Sequence, residues 1–346
     1  MHKHVWLGLL AIILVFVACA APATPAIPII PTITPAAPAV SPADLKLSER
    51  IIYTGSAEGI SQYDLTTNAI SALFEAPRNA FVTGEAISPD RSQVVFSYAP
   101  PPEGSAQLGY SDLYQMPLQA GAKPAPLLQG SARQEVYSYP SWSPDGQYLY
   151  YGHTLAAPAY GSHIGPRIER IVYPAGQPQI IQEGASYPRL SPDGSKLVYI
   201  TFKPDLSGNA VVVANPDGSG AQVIVPATTF TAIDSPIFSP DGRYILFSAV
   251  GMPAASERPD IFERWLGVTV AYAHNIPSDL RRAPVAGGQP EQLTHIGCTG
   301  LFPSYSPDGR YVAIVCNVGF FIMNPDGSHV GLLNSSGGLG MMEWIR

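Results

Sequence analysis

One five-residue turn constrains this chain more than any other feature. It reads Ile87-Ser88-Pro89-Asp90-Arg91, Trp142-Ser143-Pro144-Asp145-Gly146, Leu190-Ser191-Pro192-Asp193-Gly194, Phe238-Ser239-Pro240-Asp241-Gly242 and Tyr305-Ser306-Pro307-Asp308-Gly309. Proline presets φ at the first turn position, aspartate bonds its own backbone, and glycine accepts the positive φ of the exit. Each copy sits between a short apolar segment and a run such as Tyr244-Ile245-Leu246-Phe247, the pattern of a β-hairpin. Arg91 occupies the glycine position of its copy, where a side chain is strained. The five serines follow one another at intervals of 55, 48, 48 and 67 residues. That is one four-stranded propeller blade per repeat, with insertions in the longer intervals.

The blades follow in order. Blade 2 is expected over 85–128, blade 3 over 136–182, blade 4 over 187–225, blade 5 over 235–294 and blade 6 over 302–333. Ahead of them, Arg50-Ile51-Ile52-Tyr53 and Gly59 to Asp64 match the second and third strands of a blade with no inner strand before them. Met341 to Arg346, centred on Trp344, resembles an inner strand. Pairing it with the N-terminal strands closes a ring and leaves neither terminus as an open edge. The fold expected is all-β, a six-bladed β-propeller of four-stranded blades over 46–346.

Composition agrees. Charged residues make up 13% of the chain, against 32 glycines and 36 prolines, as many short strands joined by tight turns require. A formal charge of −7 and the lack of a basic stripe argue against nucleic acid.

His2-Lys3-His4 and the apolar run Val5 to Val17 have the basic start and short core of a secretory signal, too short to span a bilayer comfortably. The run ends Phe16-Val17-Ala18-Cys19, which resembles the lipobox of bacterial lipoproteins, although Phe16 stands where that family more often has leucine. The resemblance implies a signal peptide over 1–18 and a lipidated Cys19. Proline then recurs every three or four residues from Pro22 to Pro42. Such a segment favours extended polyproline II, so 19–45 reads as a tether, either a spacer or a plain linker.

The aromatic-Ser-Pro-Asp-Gly repeat followed by an aromatic-aliphatic strand resembles the TolB-type, WD-like propeller repeat, over about 46–346. In that family it occurs in the periplasmic translocation protein, in the propeller half of prolyl-oligopeptidase-like peptidases and in exported proteins. The repeat specifies fold and not function. Here the tether leads straight into blade 1 without the small α/β domain of the translocation protein, so that protein's partners do not carry over. The peptidase relatives need a hydrolase domain, for which the sequence has no place after blade 6.

Length variation is concentrated in the connections from second to third strand: Tyr98 to Ser111, His153 to Glu169, Phe202 to Asn209 and, as a long insertion, 249–280. Long loops in a compact repeat fold tend to carry function. In the insertion, Ile261, Trp265 and Val268 share one helical face with Asp260 placed to cap it, either plugging the ring or forming a lid. The candidate binding face comprises His153, His163, Arg167, Arg170, Arg258, Asp260, Arg264, Trp265 and His274, opposite the repeat turns. The histidine spacing carries no metal signature, and Asn215 to Gly218 and Asn324 to Gly327 read as hairpin turns between outer strands, since they lack the alternating oxygens of a calcium loop. Gly-x-Ser-x-Gly, His-Glu-x-x-His and phosphate-loop motifs are absent. No catalytic residue, metal or cofactor is expected. Cys298 and Cys316 flank the Asp308 turn, either as a disulfide or as two buried thiols.

The sequence therefore describes a lipid-anchored extracytoplasmic module of the cell envelope. It would act as a monomer that binds an envelope protein or polysaccharide; the competing class is a carbohydrate lyase or hydrolase using the central funnel.

Overall fold

The computed structural model describes residues 37–55, 59–101, 110–130, 135–155, 165–203, 208–251, 276–338 and 340–346. The leader, Cys19, most of the tether, His163, Arg258, Asp260, Arg264, Trp265, His274 and the helix expected near 260–272 lie outside them.

Twenty-four strands form six four-stranded antiparallel sheets. Blade 2 comprises β4 (Phe81–Ile87), β5 (Gln93–Ala99), β6 (Asp112–Pro117) and β7 (Ala125–Leu128). Blade 3 has β8 (Val136–Trp142), β9 (Tyr148–Thr154), β10 (Arg167–Val172) and β11 (Gln179–Glu183). Blade 4 has β12 (Ala185–Leu190), β13 (Leu197–Phe202), β14 (Asn209–Ala214) and β15 (Gln222–Val225). Blade 5 has β16 (Ala232–Phe238), β17 (Tyr244–Val250), β18 (Asp279–Pro284) and β19 (Glu291–Gln292). Blade 6 has β20 (Phe302–Tyr305), β21 (Val312–Cys316), β22 (Gly319–Met323) and β23 (Gly331–Asn334). Blade 1 combines β1 (Arg50–Gly55), β2 (Gly59–Asp64) and β3 (Ala69–Glu75) with the last strand, β24 (Met342–Ile345). The closing pair aligns Ile51 with Trp344 and Tyr53 with Met342, so the protein is the six-bladed ring that the repeat implied.

The second strands are buried almost end to end, as in Tyr244–Val250 and Val312–Cys316. Each blade lies between two others, so both faces of its second strand are covered. The resulting run of β-branched and aromatic residues is continuous where a one-sided sheet would alternate. Between blades pack rings such as Tyr53 and Phe320, with centroids 4.8 Å apart, and Phe74 and Phe96, 5.9 Å apart.

The repeat turns share one hydrogen-bond plan. In blade 3, Ser143 Oγ donates to Asp145 Oδ1 (2.6 Å) and accepts from the Tyr148 N–H (2.8 Å), while the Gln147 N–H reaches Asp145 Oδ1 (3.0 Å). Short Ser-to-Asp bonds recur at Ser88, Ser191, Ser239 and Ser306. The exit residue is left-handed in every copy, with φ of 71° at Gly146 and 61° at Arg91, so the strain expected at Arg91 is present.

Part of the segment expected to be a tether, from residue 37 on, is described. From Pro38 to Val40 it pairs in parallel with β23: the Val40 N–H donates to Leu332 O (2.9 Å) and the Leu332 N–H to Pro38 O (2.8 Å). Gly331 permits this, since a Cβ there would come 2.6 Å from a Val40 methyl. The outer edge of blade 6 is thereby covered. The other cysteine expectation falls within the same blade. Cys298 and Cys316 are both buried, with Cα atoms 6.2 Å apart and their sulfurs in bonding contact.

Candidate functional site

The inner strands β4, β8, β12, β16, β20 and β24 surround a central cavity of about 490 Å³ at the Ser-Pro-Asp-Gly end of the ring. Its mouth carries Pro89, Pro144 and Pro192 of the repeat turns; Trp142, Phe238, Tyr305 and Trp344 form its walls. This is the end opposite the variable loops, so the cavity lies where the sequence directed least attention.

Local backbone shapes the cavity. β4, β8, β12 and β16 each skip register once, between Thr83 and Glu85, Ser138 and Ser141, Ser186 and Arg189, and Asp234 and Ile237. The inserted residue is left-handed: Gly84, Tyr139, Tyr187 and Ser235, with φ from 51° to 64°. A bulge of this kind re-aims side chains, and for tyrosine the conformation carries strain of the sort found at binding sites. Tyr187 donates its hydroxyl to that of Tyr139 at 2.8 Å, and the two rings stack 3.8 Å apart. Burial holds the Tyr139 hydroxyl up to about 12, so the pair stays neutral.

Three ionisable groups meet at this level. Glu85, on β4, has no solvent exposure. Its Oε2 accepts from Thr54 Oγ1 at 2.9 Å, and its Oε1 has no hydrogen-bond partner among the described residues. Glu343, on β24, accepts from the Ile87 N–H at 3.2 Å. Arg189, on β12, donates through Nη1 to Pro140 O (2.8 Å) and through Nη2 to Met341 Sδ (3.5 Å). Burial and the like charge of Glu343 push the Glu85 carboxyl up to about 8. Burial also pushes Glu343 up to about 7, against the opposing pull of Arg189. Desolvation in turn lowers the Arg189 guanidinium, offset in part by the two carboxyls. Near neutral pH the pair of carboxyls therefore retains protons. Two further cavity residues carry buried polar atoms without partners among the described residues, Trp344 Nε1 and Ser235 Oγ.

Of the residues marked from sequence, three are described. His153 and Arg167 come together near the opposite end of blade 3. His153 faces Glu135 through Nε2 (3.2 Å) and Glu169 through Nδ1 (3.1 Å), and its ring stacks on Tyr137 at 4.2 Å. Arg167 pairs with the same Glu169 oxygen at 2.5 Å. Histidine and both glutamates are buried, and the cation pairs and hydrogen bond to His153 hold Glu169 below the usual carboxylate range despite its burial. No group of His, Cys, Asp and Glu is arranged to hold a metal ion among the described residues. Arg170 points elsewhere, donating to Tyr150 Oη (3.0 Å) and lying over the Tyr148 ring on the flank of blade 3.

The sequence does carry a signal for the missed residues. Aligned on the repeat serine, Ala86, Ser141, Arg189, Ile237 and Ser304 share one position, and Glu343 holds it beside Trp344. Two charged residues stand out in that column. In the column before it, Glu85 replaces the prolines 140, 188, 236 and 303.

No protein-family model matches the sequence, and no curated protein matches it. Solved structures do. TolB from Acinetobacter baumannii superposes with a TM-score of 0.58 at 17% identity, over 86% of this chain and 67% of that one. The putative TolB from Agrobacterium tumefaciens gives 0.57 at 17%, over 86% and 97%. A chain of a Nidogen/Laminin complex gives 0.60 at 10% identity, over 86% and 98%, and an oligogalacturonate lyase in complex with manganese gives 0.51 at 16%, over 85% and 75%. These structural neighbours include TolB-like six-bladed β-propellers at low sequence identity, and what they share with this chain is the fold.

Proposed function

We propose that this chain is a binding module of the bacterial cell envelope, tethered outside the cytoplasm through a lipidated Cys19 and the proline-rich segment, which docks a protein or envelope polymer at one end of its ring. One observation carries the reading: a cavity built by all six inner strands, walled with aromatic rings, holding buried polar atoms that have no partner among the described residues. Concave apolar sites with a few convergent polar groups are the usual form of a binding site. The Nidogen/Laminin neighbour comes from a complex between two proteins, which supports docking as a use of such a ring. Placing a photo-crosslinking residue at Tyr305, at the cavity, and separately at Ile180, on the outer blade edge, tests it in native envelopes. Adducts are expected at Tyr305 and not at Ile180; equal labelling at both, or labelling at Ile180 alone, refutes the reading.

A carbohydrate lyase or hydrolase is the second reading, favoured by Glu343, a cavity-lining carboxyl held near 7 and therefore matched to proton transfer at neutral pH. Turnover of a polysaccharide by the purified protein, lost in Glu343→Gln, would establish it in place of the first.

A further inference from the structure

We propose that the central cavity binds a ring-bearing organic carboxylate, with Arg189 as its anchor; this rests on the binding-module reading and names the ligand chemistry. A guanidinium offers five N–H donors in a planar fork. Arg189 has one strong acceptor, Pro140 O, and one weak one, the Met341 thioether, and none of the ion pairs among the described residues includes it. Its bond to Pro140 O orients the head in the cavity wall, and its remaining N–H groups have no acceptor among the described residues. The same cavity carries the Trp344 indole N–H, on a residue 5% exposed and also without an acceptor among the described residues; indole nitrogen only donates. Both unmet demands are for an acceptor.

The neighbouring carboxyls do not fill that role. Glu85 accepts from Thr54 through Oε2 and Glu343 from the Ile87 N–H across the ring-closing seam, and neither forms an ion pair or hydrogen bond with Arg189 among the described residues. Each holds its proton more tightly than an ordinary carboxyl, so at neutral pH and below they leave the positive field of Arg189 only partly cancelled. A carboxylate meets a guanidinium through two parallel hydrogen bonds, which adds direction to attraction. Trp142, Phe238, Tyr305 and Trp344 with the proline rings supply flat apolar walls for the body of such a ligand.

The charged groups acting on Arg189 are Glu85 on β4 and Glu343 on β24. Ionising them as pH rises opposes an incoming anion, so ligand uptake is coupled to proton retention. Titration calorimetry on the full chain tests this with benzoate and cyclohexanecarboxylate, each against its own amide, at pH 6 and pH 8. At least one acid is expected to bind at pH 6 about tenfold or more tighter than its amide, and to weaken by pH 8. Arg189→Gln should remove the preference for acid over amide, and Arg189→Lys should restore part of it. If neither acid binds, or amide and acid bind alike, or folded Arg189→Gln keeps the preference, the proposal fails. Equal binding of acid and amide, with Tyr305 crosslinking intact, would leave the binding-module reading standing without the carboxylate.

Discussion

Glu343 makes the closure of the ring sensitive to pH, and the size of the effect follows from its surroundings. It sits on β24, the strand that completes blade 1, and its carboxyl accepts from the Ile87 N–H of blade 2. On the other flank of the same strand, the Trp344 N–H donates to Ser304 Oγ of blade 6. In the unfolded chain this carboxyl titrates near 4.5, and in the ring near 7. The folded state thus prefers the protonated form. The stability associated with that form is complete below 4.5 and is lost as pH rises through 7. At about 1.4 kcal/mol per pH unit, the interval gives a ceiling of about 3 kcal/mol for ionising Glu343 in place, and its charge in turn helps to raise Glu85.

Glu343→Gln keeps the shape and the acceptor oxygen while removing the charge. Its stability should match the parent below about pH 4.5 and exceed it increasingly as pH rises to about 7, by up to about 3 kcal/mol. Urea denaturation at pH 5, 6, 7 and 8 measures this directly. A difference between variant and parent that is flat across that range, or a variant weaker than the parent at pH 8, would show that the carboxyl does not carry a raised pKa across the seam.

Arg91→Gly should stabilise the protein by about 1 kcal/mol in thermal or chemical denaturation, since the left-handed backbone there now holds a side chain. Glu169→Gln should cost about 3 kcal/mol or more, because it leaves Arg167 and His153 without their shared buried carboxylate; Val172→Ala on the exposed flank of the same strand serves as the neutral control. Intact mass with and without reductant should differ by two hydrogens if Cys298 and Cys316 are bonded, and Cys316→Ser should then lower stability by about 3 kcal/mol, for a loop spanning 18 positions. Free thiols in the native protein would sink that expectation.

The blade count, the closing strand at Trp344 and the strained Arg91 were all legible because a turn read five times fixes period, phase and backbone at once. The outer-strand turns at Asn215 and Asn324 were legible for the same reason, with Gly218 and Gly327 both at φ 85°. The cavity was not. Its shape depends on register skips at Tyr139, Tyr187 and Ser235, which no local propensity announces, since the bulge is imposed by packing around the channel. Glu85, Arg189 and Glu343 come from blades 2, 4 and 1 and meet only when the ring closes. His153 and Arg167 drew notice as surface residues on long loops, yet the structure draws both into a buried ionic cluster around Glu169. A histidine at the end of a strand stays in solvent only if its neighbours carry nothing to receive it, and Glu135 and Glu169 do.

The clip formed by Pro38 to Val40 on β23 sets how tension on the N-terminal segment reaches the ring. A pull would first load this short parallel pair, held by two backbone hydrogen bonds near Leu332, and then Leu47, buried in the main core cluster. The next ordered strand along the chain is β1, which is bonded on one side to β2 and on the other to β24. Force therefore meets this short pair first, then a buried leucine, and then a strand gripped along both edges, so the N-terminal contacts yield before the ring is asked to open.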